Sequence, residues 1–480
     1  MIAALKGHPR GAYLLVFTEL LERFSFYGMR GLLVLFMTRT IAESGLAWEA
    51  APAIGFFGLF SSLIWFSPIF GGWAADRWLG QRRAVFIGGL LMAFGHFALV
   101  AASFVPDAFA GVTGKGLLAL GSLARSAPLE ALLASGQGRS LMVPAIVAQA
   151  SLIGGLLLIV LGNGLLKPCI TVMLGELYSR DDPRRDAIYT LFYVGISAGA
   201  LLAALSAGTI GEKIGWRYGF LICGAVMFGG ILFYARQASR WLGEIGLPGY
   251  RPELGEAHES RGKGARGSAQ LSAARAVAYI AILSLFAVVF WTGYEQSGGL
   301  LNLYIFEKVD RTVLGFAVPA TWLLTLPAFF CILVGVAVAE ALLRIEKHGV
   351  VLDPPRRFAG GLIVGALAFA VFAWAANSTD SALPVGWVFL FYFLLTIAEL
   401  VLSPAGFSMV TRIAPRHLSA RLMGLWLLSV AIGSALAGQV GAYSAKMPIS
   451  MTFSGLALAF VVAGLLLLLC RRLLLLRIAG

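Results

Sequence analysis

Histidine and cysteine are scarce in this 480-residue chain, five and four residues respectively, and charged side chains make up only 13% of it. Cys169, Cys223, Cys331 and Cys470 fall in or at the ends of apolar stretches without metal-ligand spacing, so they read as small buried hydrophobes and imply no disulfide framework. No HExxH, GxSxG or clustered-histidine pattern occurs. His96, alone in the middle of an apolar run, reads as a satisfied packing residue. These absences leave no convergent nucleophile, base or metal set, so the chain is expected to be neither an enzyme nor a metal binder. A channel or a receptor is the non-enzymatic competitor to the reading below.

What the chain has instead is apolar length. It is 59% hydrophobic and carries runs of about 20 apolar residues again and again, a membrane composition. Runs bounded by charge, proline or glycine clusters predict twelve spans, at 13–38, 52–75, 84–105, 144–166, 187–209, 217–236, 276–297, 316–338, 358–376, 385–408, 422–443 and 451–470. The net charge of +13 is distributed by side: with the N-terminus inside and span-end residues counted with the adjoining loop, 25 of the 37 Lys and Arg fall in the inner loops and tails, 9 in the outer ones, and three, Arg23, Arg30 and Lys167, lie within the membrane. That asymmetry follows the positive-inside rule for two cytoplasmic termini, and it accounts for the basicity without nucleic acid. Lys6 and Arg10 precede a first span that is long and charged, so no cleaved signal peptide is expected. A glycine-rich segment of mixed charge, 237–275, separates six spans from six and reads as a flexible cytoplasmic linker between bundles at 1–236 and 276–480. Within 106–143, the moderately apolar stretch Gly116 to Ser135 reads as an interfacial helix.

The first span is unusual. On a helix over 13–38, Glu19, Glu22, Arg23 and Arg30 fall within about 100° of arc, with Phe26 among them. Each charge costs about 2.5 to 3.5 kcal/mol at mid-bilayer, on the order of 10 kcal/mol together, so they must pair or face water. Lys167, Glu295 and Glu399 are the other intramembrane charges, giving four acids against three bases. A low-dielectric site resolves such an excess by keeping a proton on a carboxyl, which suggests a group that titrates in use. Pro168, Pro327 and Pro404 each weaken a predicted span near one of these charges.

Glu19-Leu-Leu-Glu22-Arg23-Phe24-Ser25-Phe26-Tyr27 resembles the ExxERFxYY motif of the proton-dependent oligopeptide transporters, a branch of the major facilitator superfamily. Gly71 to Arg77 with Leu79 to Arg83 is similar to the superfamily's cytoplasmic loop motif, a gate-side cluster that includes Gly72, Asp76, Arg77, Gly80, Arg82 and Arg83. Leu166-Lys167-Pro168 resembles LKPN, Phe192 to Gly199 resembles FYxxINxG, Phe290-Trp291 with Glu295-Gln296 resembles FWxxxEQ, and Glu399 to Gly406 resembles ELxxSPxG. The resemblance runs in order from the first span to the tenth. It implies an all-α membrane protein of twelve transmembrane helices in two six-helix bundles, a proton-coupled symporter that imports di- and tripeptides by alternating access.

By that resemblance Glu19, Glu22 and Arg23 couple proton movement to transport, and Glu295 joins them by pairing with Arg30 or Lys167 in one state and releasing it in another. Arg30 and Lys167 hold the peptide carboxylate and Glu399 the amino terminus. Tyr27, Ser197, Trp291, Ser403 and Trp426 complete the substrate contacts. The departures are Phe26 for the first tyrosine of the pair, Cys169 and Ser197 for asparagines, and Leu326 where an asparagine usually precedes Pro327. They open an alternative, a same-family transporter of another peptide-like or anionic solute. The two extra helices common between the halves of bacterial members are absent from the predicted spans. The expected partners are small peptides, protons and the lipid bilayer of a bacterial inner membrane, with no cofactor beyond the coupling proton, no nucleic acid, and a monomeric chain.

Overall fold

Lipid offers no partner to a backbone amide, so a chain of apolar runs crosses it as helices that satisfy their own backbone. A computed structural model describes residues 7–40, 43–104, 136–179, 182, 184–248, 273–379, 381–413 and 419–479. The membrane helices are α1 Arg10–Thr38, α2 Ala50–Ala74, α3 Gln81–Ala102, α4 Gly136–Glu176, α5 Arg184–Ala203, α6 Trp216–Trp241, α7 Ala273–Tyr294, α8 Leu326–Lys347, α9 Pro354–Asn377, α10 Val385–Ile413, α11 Ser419–Ser444 and α12 Ile449–Ala479. Among the described residues, eleven helices are long and apolar enough to cross a membrane. The twelfth, α1, falls short by composition because of its charged stripe.

Several helices continue past an irregular turn. A π-helical turn, Ala75–Leu79, prolongs α2, and another, Ala204–Gly208, links α5 to a last helical turn at Thr209–Lys213. A 3-10 turn at Glu295–Ser297 leads α7 into Leu300–Lys308, and a short helix, Ala320–Leu323, precedes α8.

The contacts repeat with a period of six helices. α1 packs on α5 and α6 as α7 packs on α11 and α12; α3 packs on α4 and α6 as α9 packs on α10 and α12; and α2 meets α4 as α8 meets α10. Two further seams, α2 with α11 and α5 with α8, join the sets and exchange under the same repeat. This is the signature of parallel repeats related by an axis along the membrane normal. Small residues let backbones close on each other in the first set and at the α2–α11 seam. A Cβ on Gly58 would stand 2.3 Å from the Gly438 Cα, and one on Gly162 would stand 2.4 Å from the Gly88 carbonyl. The second set is filled by aromatics: the Phe369 ring lies 5.2 Å from Phe391, 5.1 Å from Phe453 and 5.2 Å from Phe460.

Four expectations need correction. Pro327 does not sit mid-helix; it occupies the first turn of α8, where its missing N–H is tolerated. α4 runs ten residues beyond 166, to Glu176, because a helix continues into the polar zone wherever its charged turns find water or partners. α6 runs past 236 to Trp241, and the chain to 248 packs on the protein; the rest of the expected linker, 249–272, lies outside the described residues. The all-α architecture holds, with two minimal strand pairs between helices, Val309–Asp310 with Leu383–Pro384 and Thr312–Val313 with Phe316–Ala317, the latter turning on Leu314 and Gly315 at positive φ. The expected interfacial helix at 116–135 also lies outside the described residues. His96 is buried with neither ring nitrogen hydrogen-bonded among the described residues, so it is not satisfied as expected.

Candidate functional site

The stripe on α1 faces inward and meets α4. Glu19 and Glu22 are fully buried and Arg23 nearly so. The Arg23 guanidinium donates to both oxygens of Glu22, at 2.6 Å for Nη2 to Oε1, and its Nη2 also donates to Asn163 Oδ1 at 3.2 Å. Arg23 Nε lies 3.5 Å from Glu19 Oε1, the oxygen to which Lys167 Nζ donates. Asn163 in turn donates to the Ile64 carbonyl at 3.1 Å, which fastens the cluster to α2. Two acids meet two bases here, and the cluster is neutral.

About two turns further along α1, Arg30 Nη2 donates to Glu295 Oε2 at 2.5 Å, joining the first set of helices to the second. That pair is balanced too, so the one acid in excess of the bases within the membrane is Glu399. Among the described residues no cation pairs with Glu399; the Tyr294 hydroxyl reaches its carboxylate instead. Glu399 and Arg30 line one cavity of about 140 Å³, with Tyr27, Tyr193, Ser197 and Tyr294 also in its wall.

The remaining sequence candidates lie elsewhere. Trp426 is buried against Phe358 and Phe407, and Trp291 packs on Phe290 and Tyr294, so neither lines this cavity. Ser403 has its hydroxyl buried without a partner among the described residues, outside the cavity wall. Lys167 is committed to Glu19 and also stays out of the wall. The polar contacts that sequence did not single out are Asn163, Tyr193 and Tyr294. Asn163 stands four residues before Lys167, on the same helix face, a spacing that could have named it.

The loop candidates form a separate fixture at the end of α2. Gly72 faces Pro168, and Asp76 and Arg77 are exposed on the π-helical turn. Gly80 has φ +73, and a Cβ there would stand 2.9 Å from the Pro248 ring. Arg82 donates to the carbonyls of Ile245, at 2.6 Å, and Gly243, while Arg83 is exposed. The loop is thereby pinned to the chain that follows α6.

The sequence profile of the POT family matches residues 82–244 and 260–457. The chain belongs to the POT family. Similar relatives include the uncharacterized transporter YclF of Bacillus subtilis and the peptide transporter YePEPT of Yersinia enterocolitica, each 28% identical over 96% of this chain and 94% of the relative. A di-/tripeptide transporter of Lactococcus lactis is 27% identical over 90% of this chain and 89% of its own. Among solved structures, a peptide transporter POT in complex with sulfate superposes with a TM-score of 0.80 at 29% identity, covering 99% of this chain and 97% of the other. A mutant of a peptide transporter POT in complex with alafosfalin does so with a TM-score of 0.80 at 28% identity over the same shares. The fold of this POT chain is accordingly that of the major facilitator superfamily, in two six-helix bundles, and the protein is a multi-pass membrane transporter rather than an enzyme.

Proposed function

We propose that this chain is a symporter that imports di- and tripeptides with protons by alternating access, from a bacterial inner membrane with both termini cytoplasmic. The observation that carries the proposal is the carboxyl of Glu399, without a cationic partner among the described residues, in the same cavity as Arg30. A zwitterion of variable side chain is best recognised by its two invariant ends, and its ammonium supplies the cation that Glu399 lacks while its carboxylate competes with Glu295 for Arg30. Arrival of the substrate then loosens the buried Arg30–Glu295 pair that ties α1 to the turn after α7. A ligand can shift the two access states only by such differential contacts.

Glu19, Glu22 and Arg23 are the proposed proton-coupling group, with Glu295 as the partner that exchanges Arg30. Lys167 supports them through Glu19 and reaches the substrate carboxylate only if that contact breaks. The bundles are assigned to 1–236 and 276–480 with the linker between, its first residues docked on Arg82. Cys169, Ser197 and Leu326, which stand where the family usually has asparagine and offer fewer hydrogen bonds or none, favour the alternative of another peptide-like or anionic solute as the second reading.

Reconstituted protein under an inward proton gradient tests this. Uptake of Ala-Ala together with acidification of the vesicle interior is the expected result; uptake indifferent to the gradient would overturn the coupling. Glu22→Gln keeps shape and hydrogen bonding but removes the titrating group. Driven uptake should fall to the level seen without a gradient while peptide exchange partly persists, and equal loss of both would make Glu22 structural.

A further inference from the structure

The repeat that relates the two bundles leaves one groove covered in the first and open in the second. In the first bundle, the groove where α2 ends, α3 begins and α4 ends is covered by the chain that follows α6. Arg82 donates its backbone N–H to the Gly246 carbonyl at 3.0 Å and its side chain to the carbonyls of Ile245 and Gly243. A Cβ on Gly246 would stand 2.5 Å from Met173 Sδ of α4, so that chain is pressed into the groove. The corresponding groove of the second bundle lies where α8 ends, α9 begins and α10 ends, on the membrane face that carries the chain termini. Here α12 does not turn back; it continues as one helix to Ala479. Among the described residues no segment covers this groove, which is a cavity of about 240 Å³ with Glu346, Leu352, Pro354, Arg357, Met409 and Arg412 in its wall.

Charge and exposure say what fits there. Arg357 Nη2 donates to Glu346 Oε1 at 2.9 Å and its Nε to the Leu352 carbonyl at 3.1 Å, whereas Arg412 is exposed and has no carboxylate partner among the described residues. Around the cavity Arg344, Arg357 and Arg471 are each matched by an acid, which leaves Lys347, Arg356 and Arg412 in excess. The groove therefore favours an anion. The chain beside it is also apolar: between Lys347 and Arg356, Val350 is 44% and Val351 66% exposed. Exposed valines flanked by unmatched cations suit the boundary of a bilayer, where apolar side chains meet acyl chains and cations meet phosphates. A free phosphate would use the cations and leave the valines in water.

We infer that this groove binds the headgroup of an anionic phospholipid from the leaflet on the termini face, with Arg412 and Arg357 on its phosphate and Leu352, Pro354 and Met409 against its glycerol. Glu346 competes with the phosphate for Arg357. The bound lipid joins the ends of α8, α9 and α10, as the chain after α6 joins the corresponding ends in the first bundle. This inference is independent of the peptide reading.

The full-length protein in a neutral detergent tests it, with the unfolding temperature followed against added dioctanoyl-phosphatidylglycerol, dioctanoyl-phosphatidylcholine or glycerol phosphate. Phosphatidylglycerol should raise the unfolding temperature in a saturable way, and the other two should not at the same concentrations. The concentration dependence of that rise gives an apparent affinity. Arg412→Gln leaves the Arg357–Glu346 pair in place and should weaken the affinity by about fivefold. Glu346→Gln removes the competing carboxylate and should tighten it, an opposite sign that loss of folding would not produce. Both variants are read by concentration dependence, so a change in their lipid-free unfolding temperature does not enter. An equal response to phosphatidylcholine, an affinity unmoved by Arg412→Gln, or an affinity lowered by Glu346→Gln would overturn the site. An equal response to glycerol phosphate would make it a site for soluble anions and overturn the lipid assignment.

Discussion

On the membrane face away from the chain termini, Arg39 pairs with Glu307, Glu212 accepts from the backbone N–H groups of Ala320 at 2.9 Å and Thr321 at 2.7 Å, and Asn302 donates to the Gly31 carbonyl at 3.0 Å. Each of these contacts joins the first bundle to the second. On the termini face, Arg184 pairs with Asp182, Arg344 with Glu340, Arg357 with Glu346 and Arg471 with Asp353, each within one bundle. The bundles are therefore clasped by polar contacts at one face, with Arg30 and Glu295 at the inner edge of the clasp next to the cavity. Alternating access requires the clasp to be breakable. Charge pairs suit that role because a competing ion can replace either partner, whereas the Gly58–Gly438 contact can only slide or roll.

Three variants grade the contacts of the clasp. Glu295→Gln strands a buried guanidinium and should have the largest effect, about 3 to 5 kcal/mol. The expected readout is a lowered unfolding temperature in detergent together with loss of driven uptake; unchanged values in both would mean that Arg30 has another anion. Glu212→Ala removes the acceptor for two backbone donors and leaves Arg311, 3.7 Å away, without its carboxylate, which should favour opening at this face by about 2 kcal/mol. A cysteine introduced in the cavity should then react faster with a membrane-impermeant thiol reagent added on the face away from the termini, and no change in that rate would remove Glu212 from the clasp. Glu307→Gln at the rim should matter least, about 0.2 to 1 kcal/mol, because the Glu307 side chain is 40% exposed. A rate change from Glu307→Gln as large as that from Glu212→Ala would reverse the ranking of rim and interior.

The same contrast explains what the sequence could and could not tell. The charged stripe of α1 was legible because four charges on one face of an apolar helix have few stable destinations, and the charge count anticipated an excess acid without saying which carboxylate carries it. Only the pairings assign that excess to Glu399, since Arg23, Lys167 and Arg30 are each taken by another carboxylate. The clasp was illegible because Glu212, Arg311 and Arg39 lie at span ends, where pairing depends on which helices are neighbours. Trp291 and Trp426 were expected among the substrate contacts, yet a large ring in an apolar span finds equal satisfaction in a core of other rings.

The central claim is that Arg30 and Glu399 receive opposite ends of one peptide, and binding of free, amino-acetylated and carboxyl-amidated Ala-Ala to Arg30→Ala and Glu399→Gln tests it most directly. Each truncation should cost about 2 to 5 kcal/mol for the free dipeptide. Glu399→Gln should do little to the acetylated ligand and Arg30→Ala little to the amidated one, because each of those ligands already lacks the charge that the altered residue would meet. Loss of affinity by one common factor for all three ligands in both variants would contradict the account.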